Sequence, residues 1–238
     1  MNIPFLKAEW RHLVMLNYDV PRELLEPWIP KGTVLDTFKG DVYVSLVGFL
    51  FLNTRVKGVS IPFHQNFEEV NLRFYVRRFN GQEWRRGVVF IREIVPKLAI
   101  ATTARLLYNE PYIHLPMRHK VTTQNGGVQA QYEWKFNGRW NQIHACTKGS
   151  PALLRPGTLD EFITEHYWGY NRQRDGATME YRVDHPSWQI WSVGECGLDC
   201  DIKGLYGEAF AARLKDSPRS AFLAEGSEVT VHQGSRLE

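Results

Sequence analysis

The chain has 238 residues, 43% of them hydrophobic, with 29 Lys and Arg against 26 Asp and Glu and a formal net charge of +3. That surplus is too small and too evenly spread to suggest nucleic acid as the natural partner, and the hydrophobic share can fill a proper core. Three cysteines without a secretory leader argue against a disulfide framework and for a reducing, cytoplasmic compartment.

No stretch approaches the length of a transmembrane helix. No repeat or linker divides the chain, so one domain over residues 1–236 is expected, with Leu237-Glu238 read as a tag remnant. Trp10–Tyr18 is a first strand, with Val14 and Leu16 on one face and Leu13 and Met15 on the other. Asp19–Trp28 is a short helix with Asp19 as N-cap, Pro21 in its first turn and Leu24, Leu25 and Trp28 inward. Lys31-Gly32 turns into Val34-Leu35, and Lys39-Gly40 makes a hairpin turn. Val42–Leu52 is a long apolar strand in which Gly48 suggests a bulge or bend. Asn53–Gln65 reads as a loop.

Val70–Phe79 alternates. Val70, Leu72, Phe74 and Val76 take one face, and Asn71, Arg73, Tyr75 and Arg77 the other. The polar face is either solvated or a cavity wall, with Glu68 and Glu69 at its mouth. Asn80-Gly81 is a hairpin signal joining this strand to the next.

Val88–Val95 is apolar on both faces, the pattern of a buried central strand. Strict alternation puts Arg92 with Val88, Phe90 and Ile94, and Glu93 with Val89, Ile91 and Val95. Charges there must be paired or face a cavity. Pro96 ends the strand and Leu98–Tyr108 reads as a helix, so Lys97 sits at a strand-to-helix junction. Desolvation and the helix dipole would favour its free amine, as a Schiff-base lysine needs. The plainer alternative is a lysine that snorkels to solvent.

Residues 109–119 look irregular and gather Tyr112, His114, Arg118 and His119. Two histidines without a third ligand at fixed spacing make no metal site, and a lone C-x₃-C at Cys196 and Cys200 is a poor zinc signal. Val121–Thr123, Val128–Phe136 and Trp140–Thr147 form a meander. Thr158 and Glu161 form a capping box for a helix running to about Tyr167. Asp175-Gly176 is a hairpin turn before a strand over Thr178–Asp184. Asp201–Lys215 is an amphipathic helix with Leu205, Phe210 and Leu214 inward, and two strands, Ala221–Ala224 and Glu228–Val231, close the chain.

Nucleophile-elbow, zincin, phosphate-loop and dinucleotide fingerprints are absent. Glu68 and Glu69 are adjacent on a strand and point to opposite faces, so they cannot act as one acid and base pair. Phe-Ile-Arg-Glu-Ile-Val-Pro-Lys, ending at Lys97, resembles the signature of acetoacetate decarboxylases, whose first lysine of a Lys-Lys pair forms the Schiff base. Trp10-Arg-His-Leu13, Phe67–Arg77, Gly87–Phe90, Phe162–Tyr167 and His185–Trp188 resemble the YqjF-like family of uncharacterised proteins, grouped with that decarboxylase fold.

This chain departs from the decarboxylase pattern. Leu98 replaces the second lysine, the family arginine falls near Asn17, and the family glutamate falls near Val56 or Lys57.

The resemblance implies a β-rich α+β fold: a largely antiparallel, barrel-like sheet enclosing a pocket, with short flanking helices. Two functions follow. The first is a Schiff-base lyase or decarboxylase-like enzyme acting on small keto acids or carbonyl compounds. Lys97 would be the amine, Glu93 or Glu69 the acid and base, and Arg92 or Arg73 the anion partner, with Tyr75, Tyr112 and His114 beside the substrate. The second is a non-catalytic small-molecule binding protein on the same scaffold. In both, the partner is a small molecule, without nucleic acid, membrane, metal or cofactor, and assembly into a homo-oligomer is left open.

Overall fold

Residues 4–102, 109–124 and 126–237 are described in a computed structural model of the chain. The strands are β1 (Pro4–Val20), β2 (Val34–Leu35), β3 (Val42–Val56), β4 (Val59–Ser60), β5 (Phe67–Phe79), β6 (Trp84–Val95), β7 (Tyr112–His114), β8 (Met117–Gln124), β9 (Gly127–Phe136), β10 (Arg139–Leu153), β11 (Trp168–Arg172), β12 (Thr178–Asp184), β13 (Gln189–Asp199), β14 (Ser220–His232) and β15 (Ser235–Leu237). Four helices are short, α1 (Arg22–Leu25), α3 (Leu159–Thr164), α4 (Ile202–Tyr206) and α5 (Glu208–Leu214), and a further one, α2, is described over 98–102. The rest of the helix expected over Leu98–Tyr108 lies outside the described residues.

All these strands join one mixed sheet, whose main path runs β15-β12-β11-β6-β5-β3-β1-β14-β13-β10-β9-β8. A further pairing, β12 with β14, closes the stretch from β12 to β14 into a ring. Most neighbours are antiparallel, while β7 and β11 each run parallel to β6. The central strands split the apolar core in two. Val14, Leu16, Val44, Leu46, Leu72 and Phe74 pack outward against Tyr132, Trp134 and Ile143 of β9 and β10. Leu13, Met15, Phe49, Phe51, Phe67 and Val88 pack inward with Phe162 and Trp188.

Local sequence explains most elements and a few departures. Both β5 faces are buried, because one packs outward and the other lines the ring. Asp19 stays in β1, and the first helix instead has Pro21 at its N-cap with no side-chain cap bond. It gives way after Leu25 to a 3₁₀ turn, Glu26–Trp28, where Pro27 removes a backbone donor. The bend expected at Gly48 falls in the neighbouring strand: β1 slips its register against β3 between Arg11 and Val14, with His12 at φ +55°. Gly48 itself admits β9, since a Cβ there would lie 2.8 Å from Tyr132 Cδ2 and 2.9 Å from Ile143 Cγ2.

Residues 109–119 are not irregular throughout, because β7 docks beside β6 and β8 begins at Met117. Thr158 caps α3 as expected, accepting from the Glu161 N–H, but the helix stops at Thr164. The helix expected over 201–215 breaks in two at Gly207, φ +94°. The two closing strands are one, β14, which passes through Gly226 at φ +80° without ending. β13 completes the wing between β14 and β10. Among the described residues no helix is long and apolar enough to cross a membrane.

Candidate functional site

Alternation along β5 puts Glu69, Asn71 and Arg73 on its inward face. Opposite them β6 pairs Asn71 with Glu93 and Arg73 with Phe90. The register slips between Leu72 and Arg73 and leaves Ile91 unpaired. That bulge inverts the parity of β6, so Glu93 shares the inward face with Val88 and Phe90. The uninterrupted alternation expected from sequence is corrected on this point. Arg92 and Glu93 therefore point to opposite faces and do not pair.

The inward face encloses a cavity of about 320 Å³. Its apolar wall includes Trp10, Phe49, Phe51, Phe67, Phe90 and Trp188. Its polar wall is built from several separate elements. β5 gives Glu69, Asn71 and Arg73, β6 gives Glu93, and β12 gives Tyr181. Glu110 lies two residues before β7, Tyr112 opens that strand, and His166 follows α3.

The carboxyl groups of Glu69, Glu93 and Glu110 form one buried cluster at the cavity. The Asn71 amide donates to Glu69 Oε1 at 2.9 Å, and the Tyr112 hydroxyl donates to Glu69 Oε2 at 3.0 Å. Glu93 Oε2 is buried without a hydrogen-bond partner, and Glu93, Glu110, Tyr112 and Tyr181 lie close enough to shift one another's protonation. Burial raises Glu69 and Glu110 to about 7, against opposing hydrogen bonds. Burial, then the charges of Glu110 and Glu69, pushes Glu93 well above the carboxylate range. Burial also holds the phenols of Tyr112 and Tyr181 protonated.

Arg73 is the opposite case. It is 9% exposed and lines the cavity. Its Nε is buried without a hydrogen-bond partner, and its guanidinium forms no hydrogen bond or ion pair with a described residue. Next to it, burial lowers His166 to about 4, so the imidazole is neutral near pH 7. His166 Nε2 lies 3.2 Å from Asp36 Oδ2, which also accepts from Arg86 Nε at 2.6 Å. Burial raises the Asp36 carboxyl, but the His166 and Arg86 bonds outweigh it and the group stays ionised, lowered overall. Nε2 therefore carries the His166 proton, and Nδ1 is an acceptor without a partner.

Of the residues singled out in the sequence, Glu69, Glu93, Arg73 and Tyr112 meet at the cavity. Tyr75 is fully buried beneath it, its hydroxyl 2.5 Å from Ser45 Oγ, and is not in the lining. Arg77 is exposed and stacks on Trp84, so the polar face of β5 lines the cavity only as far as Arg73. Arg92 is half-buried on the outward face, and His114 is exposed at the end of β7. Lys97 is half-buried and is not in the lining. Its charge acts on Glu68, which faces away from Glu69 and bonds His119 Nδ1 at 2.6 Å.

Glu110, Tyr181 and His166 were not singled out. Nothing local marks the first two, since their convergence depends on β7 and β12 reaching β6 and the ring. His166 lay inside the Phe162–Tyr167 motif, which carried no role.

Comparison with known proteins agrees with this architecture. The acetoacetate decarboxylase of Legionella pneumophila subsp. pneumophila str. Philadelphia 1 superposes with a TM-score of 0.67 at 13% identity, over 99% of this chain and 88% of that one. The enduracididine biosynthesis enzyme MppR superposes with a TM-score of 0.69 at 13% identity, over 100% of this chain and 89% of that one. The fold is therefore that of the acetoacetate decarboxylase-like proteins. In sequence, uncharacterized protein YqjF of Bacillus subtilis (strain 168) is 24% identical over 184 residues, 76% of this chain and 73% of that protein. The model of the DUF2071 family, described as an uncharacterized conserved protein, matches residues 7–228, and the chain belongs to that family.

Proposed function

We propose that this protein binds a small organic acid with an apolar body, the carboxylate on Arg73 and the body against the aromatic wall. One observation carries this: Arg73 is a buried cation at the cavity with no hydrogen bond or ion pair to an anion among the described residues, only the longer-range charge of Glu69. A buried charge left unpaired is costly, and a carboxylate matches the guanidinium fork in charge and geometry. The cavity size and its mainly apolar lining suit a small-molecule site.

The decarboxylase resemblance suggests an imine at Lys97. The geometry gives that reading little support, because Lys97 lies outside the lining and its charge acts on Glu68, which faces away from Glu69. Acid–base chemistry on a bound acid has better support, since Glu69 and Glu110 titrate near 7 and line the same cavity.

Calorimetry with 3-phenylpropanoate and 4-methylpentanoate tests the binding. At least one should bind, and Arg73→Met should weaken it at least tenfold. Binding that ignores Arg73→Met, or no binding by either acid or by its 2-amino derivative, overturns the proposal. Borohydride trapping with pyruvate and acetoacetate tests the imine. No adduct confined to the Lys97 peptide is expected, and one that Lys97→Ala abolishes would restore the Schiff-base reading.

A further inference from the structure

The cavity carries an unpaired donor and unpaired acceptors on neighbouring positions. Arg73 Nε is the donor. Asn71 Oδ1 is an acceptor, because the Asn71 amide nitrogen is committed to Glu69. His166 Nδ1 is an acceptor, because Nε2 is committed to Asp36. Asn71 and His166 are 2% and 7% exposed, and both line the cavity. Arg73 and Asn71 are separated by one pleat repeat of β5, about 7 Å. Both atoms are unpaired, so the two do not satisfy each other, and one ligand head at the cavity wall can reach both.

A plain carboxylate answers only Arg73. It brings acceptors and no donor, and it leaves Asn71 Oδ1 and His166 Nδ1 unmatched. It also adds a negative charge to a cavity whose wall already holds three buried carboxyl groups. An ammonium beside the carboxylate removes both objections. It has three N–H donors, and its charge offsets that of the carboxyl cluster.

We propose that the organic acid bound here is an amino acid. Its carboxylate lies on Arg73 and its ammonium lies between Asn71, His166 and the Glu69–Glu93 end of the carboxyl cluster. This rests on the binding function proposed above and narrows its ligand class. Seating the ammonium favours ionised carboxyls, so a proton held by the cluster leaves for solvent as the ligand binds.

The test compares three probes sharing one apolar body: phenylalanine, 3-phenylpropanoate and 2-phenylethylamine. Leucine, 4-methylpentanoate and 3-methylbutylamine repeat it with a smaller body. Titration calorimetry near pH 7, in two buffers of different ionisation enthalpy, reads affinity and protons released together. In at least one series the amino acid should bind at least tenfold tighter than the acid or the amine. It should release protons that the acid does not. Glu93→Gln and Glu69→Gln should shrink the preference for the amino acid over the acid, while Arg73→Met should weaken both.

An acid that binds as tightly as its amino acid overturns this inference and leaves the organic-acid function standing. So does a preference unchanged in both glutamine variants. Binding by no probe, or binding indifferent to Arg73→Met, overturns the organic-acid function and this inference with it. The comparison of probes on the unaltered protein decides the matter even where a variant fails to fold.

Discussion

Replacing Glu110 with Gln tests whether burial in the carboxyl cluster holds a proton on Glu110 near neutral pH. Glu110 is 8% exposed, and burial raises its carboxyl from the ordinary 4.5 to about 7. Between those two values the folded protein keeps a proton that the unfolded chain has lost. Stability therefore falls as pH rises through that window. At about 1.4 kcal/mol per pH unit, the loss from this one group approaches about 3 kcal/mol at pH 8 and is about 1 kcal/mol at pH 5.

Gln mimics the protonated acid in shape and does not titrate. Glu110→Gln should gain stability over the natural protein as pH rises, by about 2 kcal/mol between pH 5 and pH 8. His166 works in the opposite sense. Its pKa is lowered from 6.5 to about 4, so the stability it contributes is lost as pH falls through that range. Because both proteins contain His166, the difference between them cancels its contribution. Urea unfolding of both proteins at pH 5, 6, 7 and 8 makes the measurement. A difference that does not vary with pH would show that Glu110 ionises normally, and the account of the cluster would fail. Glu69→Gln should show the same trend and serves as the check if Glu110→Gln does not fold.

Arg73→Met should cost less than about 1 kcal/mol of stability, since no bond is lost and a buried cation is removed. A drop of about 3–5 kcal/mol in urea would reveal an ion pair that the structure lacks. Gly48→Ala forces a methyl group against the Tyr132 ring and Ile143 and should destabilise by about 1–3 kcal/mol in the same assay. A neutral effect would mean that β9 can retreat from β3. The His166 ring proton shifts should stay flat from pH 5.5 to 8 in NMR titration, given a pKa of about 4. A midpoint near 6.5 would place the imidazole in solvent.

The sequence alone was enough to define the central strands, several turns and one cap. The alternation of Val70, Leu72, Phe74 and Val76 with Asn71 and Arg73 fixes the two faces of β5, because the pleat has a period of two and one face must be buried. Asn80-Gly81 and Lys39-Gly40 mark their turns because the required backbone conformations favour few residue types. Resemblance to a family supplied the fold, which composition and periodicity did not define. Glu69, Glu93, Arg73 and Tyr112 were legible as charged or aromatic residues on, or beside, strands too apolar to expose them.

What tertiary structure decided is which of those residues meet. Parity along β6 was readable only up to the bulge at Ile91, which depends on how β5 pairs with it. Glu110 and Tyr181 join the cluster because β7 and β12 reach β6 and the ring, a consequence of long-range pairing that no local pattern encodes. Lys97 shows the limit in the other direction. Its position after a buried strand is plain in sequence, but whether its side chain enters the cavity is decided by the course of the chain at Pro96, and it does not. The residues of a cavity can be listed from a sequence when each sits on a periodic element. The charge balance inside it depends on distances between elements, and only the fold determines those.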